Sequence, residues 1–280
     1  MDSPTLTLRA LSTLARVSPA RGGLVTALSV AGRDVLYLDE ATLADPSKNV
    51  RGGVPVLFPS PGRLRDDRYA RGAVAGALGQ HGFARSSPFE VLDAREDRVT
   101  MRLRPSDAAR AEFPFEHELT LSARVSPGAL HLDAEVRNPG AVELPYGLGY
   151  HPYFFVPAAE KAAARVPTQA TRAWDNVAKR ARALSGIALG DGEVDLHLLD
   201  HGGSRAELCL GDGRVVVAGD DGWQRWVVWT LPGRDFVCLE PWTSPADALN
   251  TGDGLLTLAP GASRAHRLTI SWEPAASAAR

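Results

Sequence analysis

Residues 119–137 read Leu-Thr-Leu-Ser-Ala-Arg-Val-Ser-Pro-Gly-Ala-Leu-His-Leu-Asp-Ala-Glu-Val-Arg. Leu119, Leu121, Ala123 and Val125 alternate with polar residues. After Ser126-Pro127-Gly128 the alternation resumes, with Leu130, Leu132, Ala134 and Val136 set against His131, Asp133, Glu135 and Arg137. A period of two places alternate side chains on opposite faces, so each run is a strand with one face buried. The Ser-Pro-Gly between them supplies turn chemistry and makes the pair a hairpin.

The same rhythm extends outward. Val99, Met101 and Leu103 continue it upstream, and Val215 to Val217, Trp226 to Trp229, Phe236 to Leu239 and Leu268 to Ser271 give further short strands downstream. Helical periodicity is weak, confined to a stretch near Ala41 to Ala44 and an Ala-rich segment around Glu160 to Ala164. Many short strands punctuated by Gly and Pro indicate an all-β sandwich or barrel. With no fixed-period repeat and no Pro/Ser linker, residues 1–280 are expected to form a single domain, with about 273–280 (EPAASAAR) as a frayed tail.

The formal net charge of −2 argues against a nucleic-acid partner, since such proteins carry a basic surplus. Cys209 and Cys238 are too few for a disulfide framework or a cysteine zinc site, and both lie in apolar alternating runs as buried thiols. The N-terminus lacks a basic segment followed by an apolar core, and no apolar run is long enough for a membrane helix. No membrane partner is expected, and a cytoplasmic location is the default.

Four segments break the alternation. Residues 51–63 (RGGVPVLFPSPGR) hold too many prolines and glycines for a central strand and read as an ordered loop presenting Arg63. A planar guanidinium there suits vicinal hydroxyls, or a structural ion pair with a nearby carboxylate. Residues 80–85 (QHGFAR) set His81 beside a tight bend, where a histidine is as readily structural as functional. In residues 147–154 (GLGYHPYF), glycines before and Pro152 after pin the backbone around His151. Tyr150, Tyr153 and Phe154 are either sugar-stacking faces or core aromatics. In residues 236–242 (FVCLEPW), Glu240 closes an apolar strand, where a charge is costly unless paired or functional. Burial would raise its pKa, as a general base working near neutrality needs; a structural ion pair is the alternative.

In this order the segments resemble the aldose 1-epimerase (galactose mutarotase) family. The bacterial branch in which PVLFPxxGRL leads into QHGFAR is matched by PVLFPSPGRL at 55–64, QHGFAR at 80–85, HPYF at 151–154 and CLEPWT at 238–243. LLTLAPGASRAHRLTISW at 255–272 is similar to the family's last strands, so the likeness runs from Gly22-Gly23 to Trp272. It implies a β-supersandwich with the sugar in an open cleft. By motif position it implies Glu240 as general base, His151 as general acid, and His81 and Arg63 as contacts near the reacting end of the sugar. It also implies an acid gripping a ring hydroxyl. Asp195 is the first candidate and Asp200 the second, although Leu198 and Leu199 stand where the family often carries an aromatic residue.

The expected activity is anomer interconversion of a free hexose, with a monosaccharide as partner and no cofactor or metal. One alternative is a hexose-6-phosphate 1-epimerase that uses Arg65, Arg68, Arg71 or Arg85 for the phosphate. The other is a non-catalytic sugar-binding module on the same fold.

Overall fold

The computed structural model describes residues 5–275, and the hairpin of residues 119–137 lies near the middle of its seven-stranded sheet. Glu118–Ser126 pairs antiparallel with Ala129–Arg137, closing at Ser126 opposite Ala129 across the Pro-Gly turn. Leu119, Leu121, Ala123, Val125 and their partners on the second strand are buried, as the alternation requires. The sheet order is Arg205–Leu210, Gly213–Gly219, Ser263–Pro274, Ala129–Arg137, Glu118–Ser126, Arg98–Leu103 and Glu90–Ala94, all antiparallel.

An eight-stranded sheet carries strands from three of the four segments singled out for chemistry, and the fourth, residues 80–85, meets it only through an isolated bridge between Phe58 and Gly82. Its path is Arg180–Ala183, Arg172–Asp175, Val194–Leu198, Arg225–Thr230, Phe236–Trp242, Gly149–Tyr150 and Val56–Leu57, and Tyr153–Phe155 also pairs with Phe236–Trp242. The strand Phe236–Trp242 is buried along its whole length, hence its unbroken apolar run. Val237 and Leu239 face the main hydrophobic cluster, while Phe236 and Cys238 pack with Tyr153 on the opposite side. The main cluster also draws on Leu119, Leu132 and Ile270 of the seven-stranded sheet. Leu8, Val17 and Leu28 join it from the N-terminal sheet Leu6–Ala10, Thr13–Ser18, Leu24–Val30 and Arg33–Asp34. The fold is all-β.

Helix is scarce among the described residues. Glu40–Ala44 forms where expected, with the Asp39 side chain accepting from the N–H groups of Ala41 and Thr42. The Ala-rich segment does not make an α-helix. It forms a 3₁₀ turn, Ala158–Glu160, after Pro157, and Lys161 turns inward to hydrogen-bond Thr230 and the Leu231 carbonyl. The short helices Asp107–Glu112 and Ala248–Thr251 carry too little periodicity to announce themselves. Glu273 and Pro274 still belong to the last strand, and the Ala275 N–H donates to the Asp212 carbonyl. The rest of the expected tail, 276–280, lies outside the described residues. Among the described residues no helix is long and apolar enough to cross a membrane.

Candidate active site

Cross-strand register assembles the site. The strand Phe236–Trp242 points Phe236, Cys238, Glu240 and Trp242 to one face, away from the main core. Glu240 pairs with Val227 and Cys238 with Trp229, while His197 pairs with Val227 and Asp195 with Trp229. His197, Val227 and Glu240 therefore form one row across three strands, and Asp195, Trp229 and Cys238 form the next. On the far side Gly149 pairs with Trp242 and Tyr153 with Cys238, which leaves His151 opposite Glu240.

The imidazole Nε2 of His151 lies 3.3 Å from Oε1 of Glu240, and Oε2 accepts from the Trp242 indole N–H at 3.2 Å. The ring of His151 stacks on Tyr153 (4.8 Å between centroids, 12° between planes) and meets Trp229 edge-on. Its backbone N–H donates to the Pro55 carbonyl. Burial, with a smaller contribution from Asp195, raises Glu240 well above the usual carboxylate range. Burial, and then the Arg85 guanidinium, push His151 down to about 3. A carboxylic acid beside a neutral imidazole holds the same number of protons as a carboxylate beside an imidazolium. The pair can therefore move between the two states without exchanging a proton with solvent.

The two loops are tied together at His81. Its backbone N–H donates to the Gly62 carbonyl at 2.7 Å, and the Gly62 N–H donates to its Nδ1 at 3.0 Å. Because Nδ1 accepts, the neutral ring carries its proton on Nε2. Burial first, and then nearby His151 and Arg85, keep His81 well below its ordinary value. The bend needs Gly82, which sits at φ +69°, where an added Cβ would overlap the Phe58 carbonyl. Gly82→Ala is expected to cost about 2–4 kcal/mol of stability, read as a lower urea midpoint.

Asp195, His81, His151, Arg63 and Glu240 all line one cavity of about 950 Å³. Arg63 is exposed there, 3.6 Å from Asp67, so guanidinium and carboxylate are near neighbours at the mouth. The Asp195 carboxylate accepts from Asn176 Nδ2 at 2.7 Å and lies 3.3 Å from His197 Nε2. Burial pulls Asp195 upward, but hydrogen bonds with His197 and Asn176 outweigh it and hold its pKa below the ordinary value. Asp200, the second candidate, is outside the cavity, where it accepts from the backbone N–H groups of Thr171 and Arg172.

Several lining residues escaped the sequence reading. His197 and Asn176 hold Asp195, and period two could have exposed His197, two residues on in the same strand. Trp229 walls the pair together with Tyr153, which in the sequence reads as either a sugar-stacking face or a core aromatic. Arg85, assigned above only to a phosphate cluster, is half-buried in the cavity, where it donates to the Gln80 carbonyl. Of the other arginines in that cluster, Arg65 lines the cavity, whereas Arg68 and Arg71 do not. Cys238 lies beneath the pair, and ligand atoms of His151, Cys238 and Glu240 fall within 4.8 Å of one another.

A sequence model of the family described as aldose 1-epimerase matches residues 4–271. The chain belongs to the aldose 1-epimerase family. The family is one of sugar-acting isomerases. Slr1438 from Synechocystis sp. PCC 6803 is 33% identical, with 96% of this chain and 95% of that chain covered and a TM-score of 0.92. A galactose mutarotase-like protein from Lactobacillus casei ATCC 334 shares the fold at a TM-score of 0.79 and 22% identity, covering 96% of this chain and all of that one. Among curated relatives, a Cenchrus ciliaris protein provisionally named glucose-6-phosphate 1-epimerase is 32% identical over 148 residues, which are 48% of this chain and 42% of its own. The plasmid LacX protein of Lactococcus lactis subsp. lactis is 28% identical over 145 residues, 50% of this chain and 47% of that one. The match spans less than half the length of either curated relative.

Proposed function

We propose that this aldose 1-epimerase family member interconverts the α and β anomers of a hexose, with Glu240 as general base and His151 as general acid. The supporting observation is the buried His151–Glu240 couple in a cavity that also holds Arg63, His81 and Asp195.

Ring opening needs a base for the anomeric hydroxyl proton and an acid for the ring oxygen. The carboxylate of Glu240 takes the proton from O1, the C1–O5 bond breaks, and the imidazolium of His151 delivers its proton to O5. The aldehyde then turns about the C1–C2 bond, and the two residues, roles exchanged, close the ring on the other face. Opening turns a charged pair into a neutral pair. Burial disfavours both charged forms, so the site favours the proton arrangement that accompanies the open-chain sugar. Arg85 favours the Glu240 carboxylate but disfavours the His151 imidazolium, so its charge acts in opposite senses on the two members of the pair. Arg63 and His81 contact the hydroxyls near C1, and Asp195, fixed by Asn176 and His197, grips a ring hydroxyl.

Asp195→Asn is expected to raise KM about tenfold or more, as the loss of a charged hydrogen bond does, with a smaller change in kcat. Arg63→Ala and His81→Asn are expected to change both constants. Polarimetry of freshly dissolved α-hexose tests the whole proposal. A rate no faster than buffer, with sugar binding intact by calorimetry, would leave a binding module instead.

A phosphorylated hexose is the second substrate reading, supported by Arg51, Arg63, Arg65 and Lys179 around the same cavity and by the Cenchrus relative. Glu193 and Asp247 line it too, so the rim is mixed in sign. Competition between glucose 6-phosphate and free glucose separates the substrates. Preference for the phosphate by tenfold or more in kcat/KM, abolished in Arg65→Ala, would select the second.

A further inference from the structure

His151 and Glu240 are two members of a three-residue ligand set completed by Cys238, whose thiol lies behind them in the same buried cluster as Tyr153. We propose that His151, Cys238 and Glu240 form a binding site for Zn²⁺ or a similarly soft divalent cation, and that the ion inhibits the enzyme by occupying the catalytic pair. The inhibitory consequence rests on the proposed role of that pair, whereas the binding site itself does not.

The donor set is one imidazole nitrogen, one thiol sulfur and one carboxylate oxygen, a combination that suits zinc and excludes magnesium and calcium, which take oxygen ligands. The three atoms lie within 4.8 Å of one another, while ligands around tetrahedral zinc sit about 3.4–3.7 Å apart given bond lengths of about 2.0–2.3 Å. Closing the difference requires these side chains to shift by about an ångström on binding. His151 and Glu240 line the cavity, so an ion enters by the sugar's route and keeps its remaining position toward solvent or a hydroxyl. Binding replaces the thiol proton, and the carboxyl proton where present, by metal–sulfur and metal–oxygen bonds, and those protons leave to solvent. A divalent charge also relieves the repulsion between Glu240 and Asp195, against the opposing charge of Arg85.

A resident metal site is supported from behind, usually by a partner on the second ring nitrogen of its histidine. Here Nδ1 of His151 is buried and has no hydrogen-bond partner among the described residues. Missing support of this kind weakens metal affinity by about 10–100-fold. The geometry therefore points to an ion that comes and goes with its supply.

The test uses the full chain, dialysed against chelator. Zn²⁺ in the tens of micromolar is expected to slow mutarotation about tenfold or more, with recovery on adding EDTA and no effect of excess Mg²⁺. Co²⁺ is expected to give a near-ultraviolet thiolate-to-metal absorption band in the wild type that is lost in Cys238→Ser, with Cys209 retained in both. Cys238→Ser should keep the metal-free rate within about threefold while raising the half-inhibiting Zn²⁺ concentration at least tenfold. Absence of the thiolate band in the wild type overturns the site, even if the variant does not fold. Equal Zn²⁺ sensitivity of a folded Cys238→Ser overturns it as well. A Cys238-dependent band in a protein without epimerase activity supports the site and removes the proposed function instead.

Discussion

Glu240→Gln is expected to fold and to lose turnover by about a thousandfold or more, within the range that a positioned general base contributes. Gln matches the carboxyl in size, and its oxygen can still accept from the Trp242 indole, so the loss reports proton transfer rather than packing. A retained wild-type polarimetric rate would show that another group takes the anomeric proton. Stability should move in the opposite direction. In the unfolded chain the carboxyl ionises near 4.5, whereas burial keeps it protonated to a higher pH in the folded protein. Above pH 4.5 the folded state thus binds more protons than the unfolded one, and this contribution to stability shrinks as pH rises through the folded pKa. Glutamine has no such dependence, so the variant should gain on the parent in Tm as pH rises from 5 to 8. A Tm difference that is flat or falls with pH contradicts a raised carboxyl.

His151→Asn is expected to lower kcat by about a hundredfold or more while sparing much of the sugar affinity, because the acid is needed only as the C1–O5 bond breaks. The decisive comparison is the double variant. Residues that act as a unit are strongly non-additive, so Glu240→Gln/His151→Asn should be little slower than the worse single variant. Multiplying losses would mean independent roles, contrary to a shared proton across the 3.3 Å contact. Acid sensitivity should change with it. The folded imidazole resists protonation down to about 3, so the parent loses stability as pH falls from 6.5 toward that value, and the variant should lose less.

The sheets were legible because their side chains alternate, and the hairpin at 119–137 has the register its turn dictates. Helices were less so: five or six residues give under two turns of pattern, and Lys161 turns into the interior from the Ala-rich segment that was a weak helical candidate. At the site, residues beside special backbone (His81, His151 and Glu240, flanked by glycine or proline) stood out. His197 follows from Asp195 by period two once that strand is singled out, whereas Asn176 and Trp229 reach the cavity only because distant segments lie beside Asp195, which is invisible until the order of strands is known. Asp195 stood ahead of Asp200 in the sequence by resemblance alone; the sheet adds the physical reason, since one faces the cavity while the other caps backbone amides outside it.

The strand Phe236–Trp242 and the segments paired with it hold Glu240 and His151 through backbone hydrogen bonds. By contrast Arg51, Arg63, Arg65 and Lys179 sit on connections between strands. On the proposed roles, the acid–base pair is carried by the sheet and the charged rim by the connections, while Asp195 is a sugar contact that the sheet itself supplies. On that proposal a designer could exchange residues 49–51 or 177–179 to change the charged rim, and natural drift at these connections could do the same, while Glu240 and His151 stay held by the sheet.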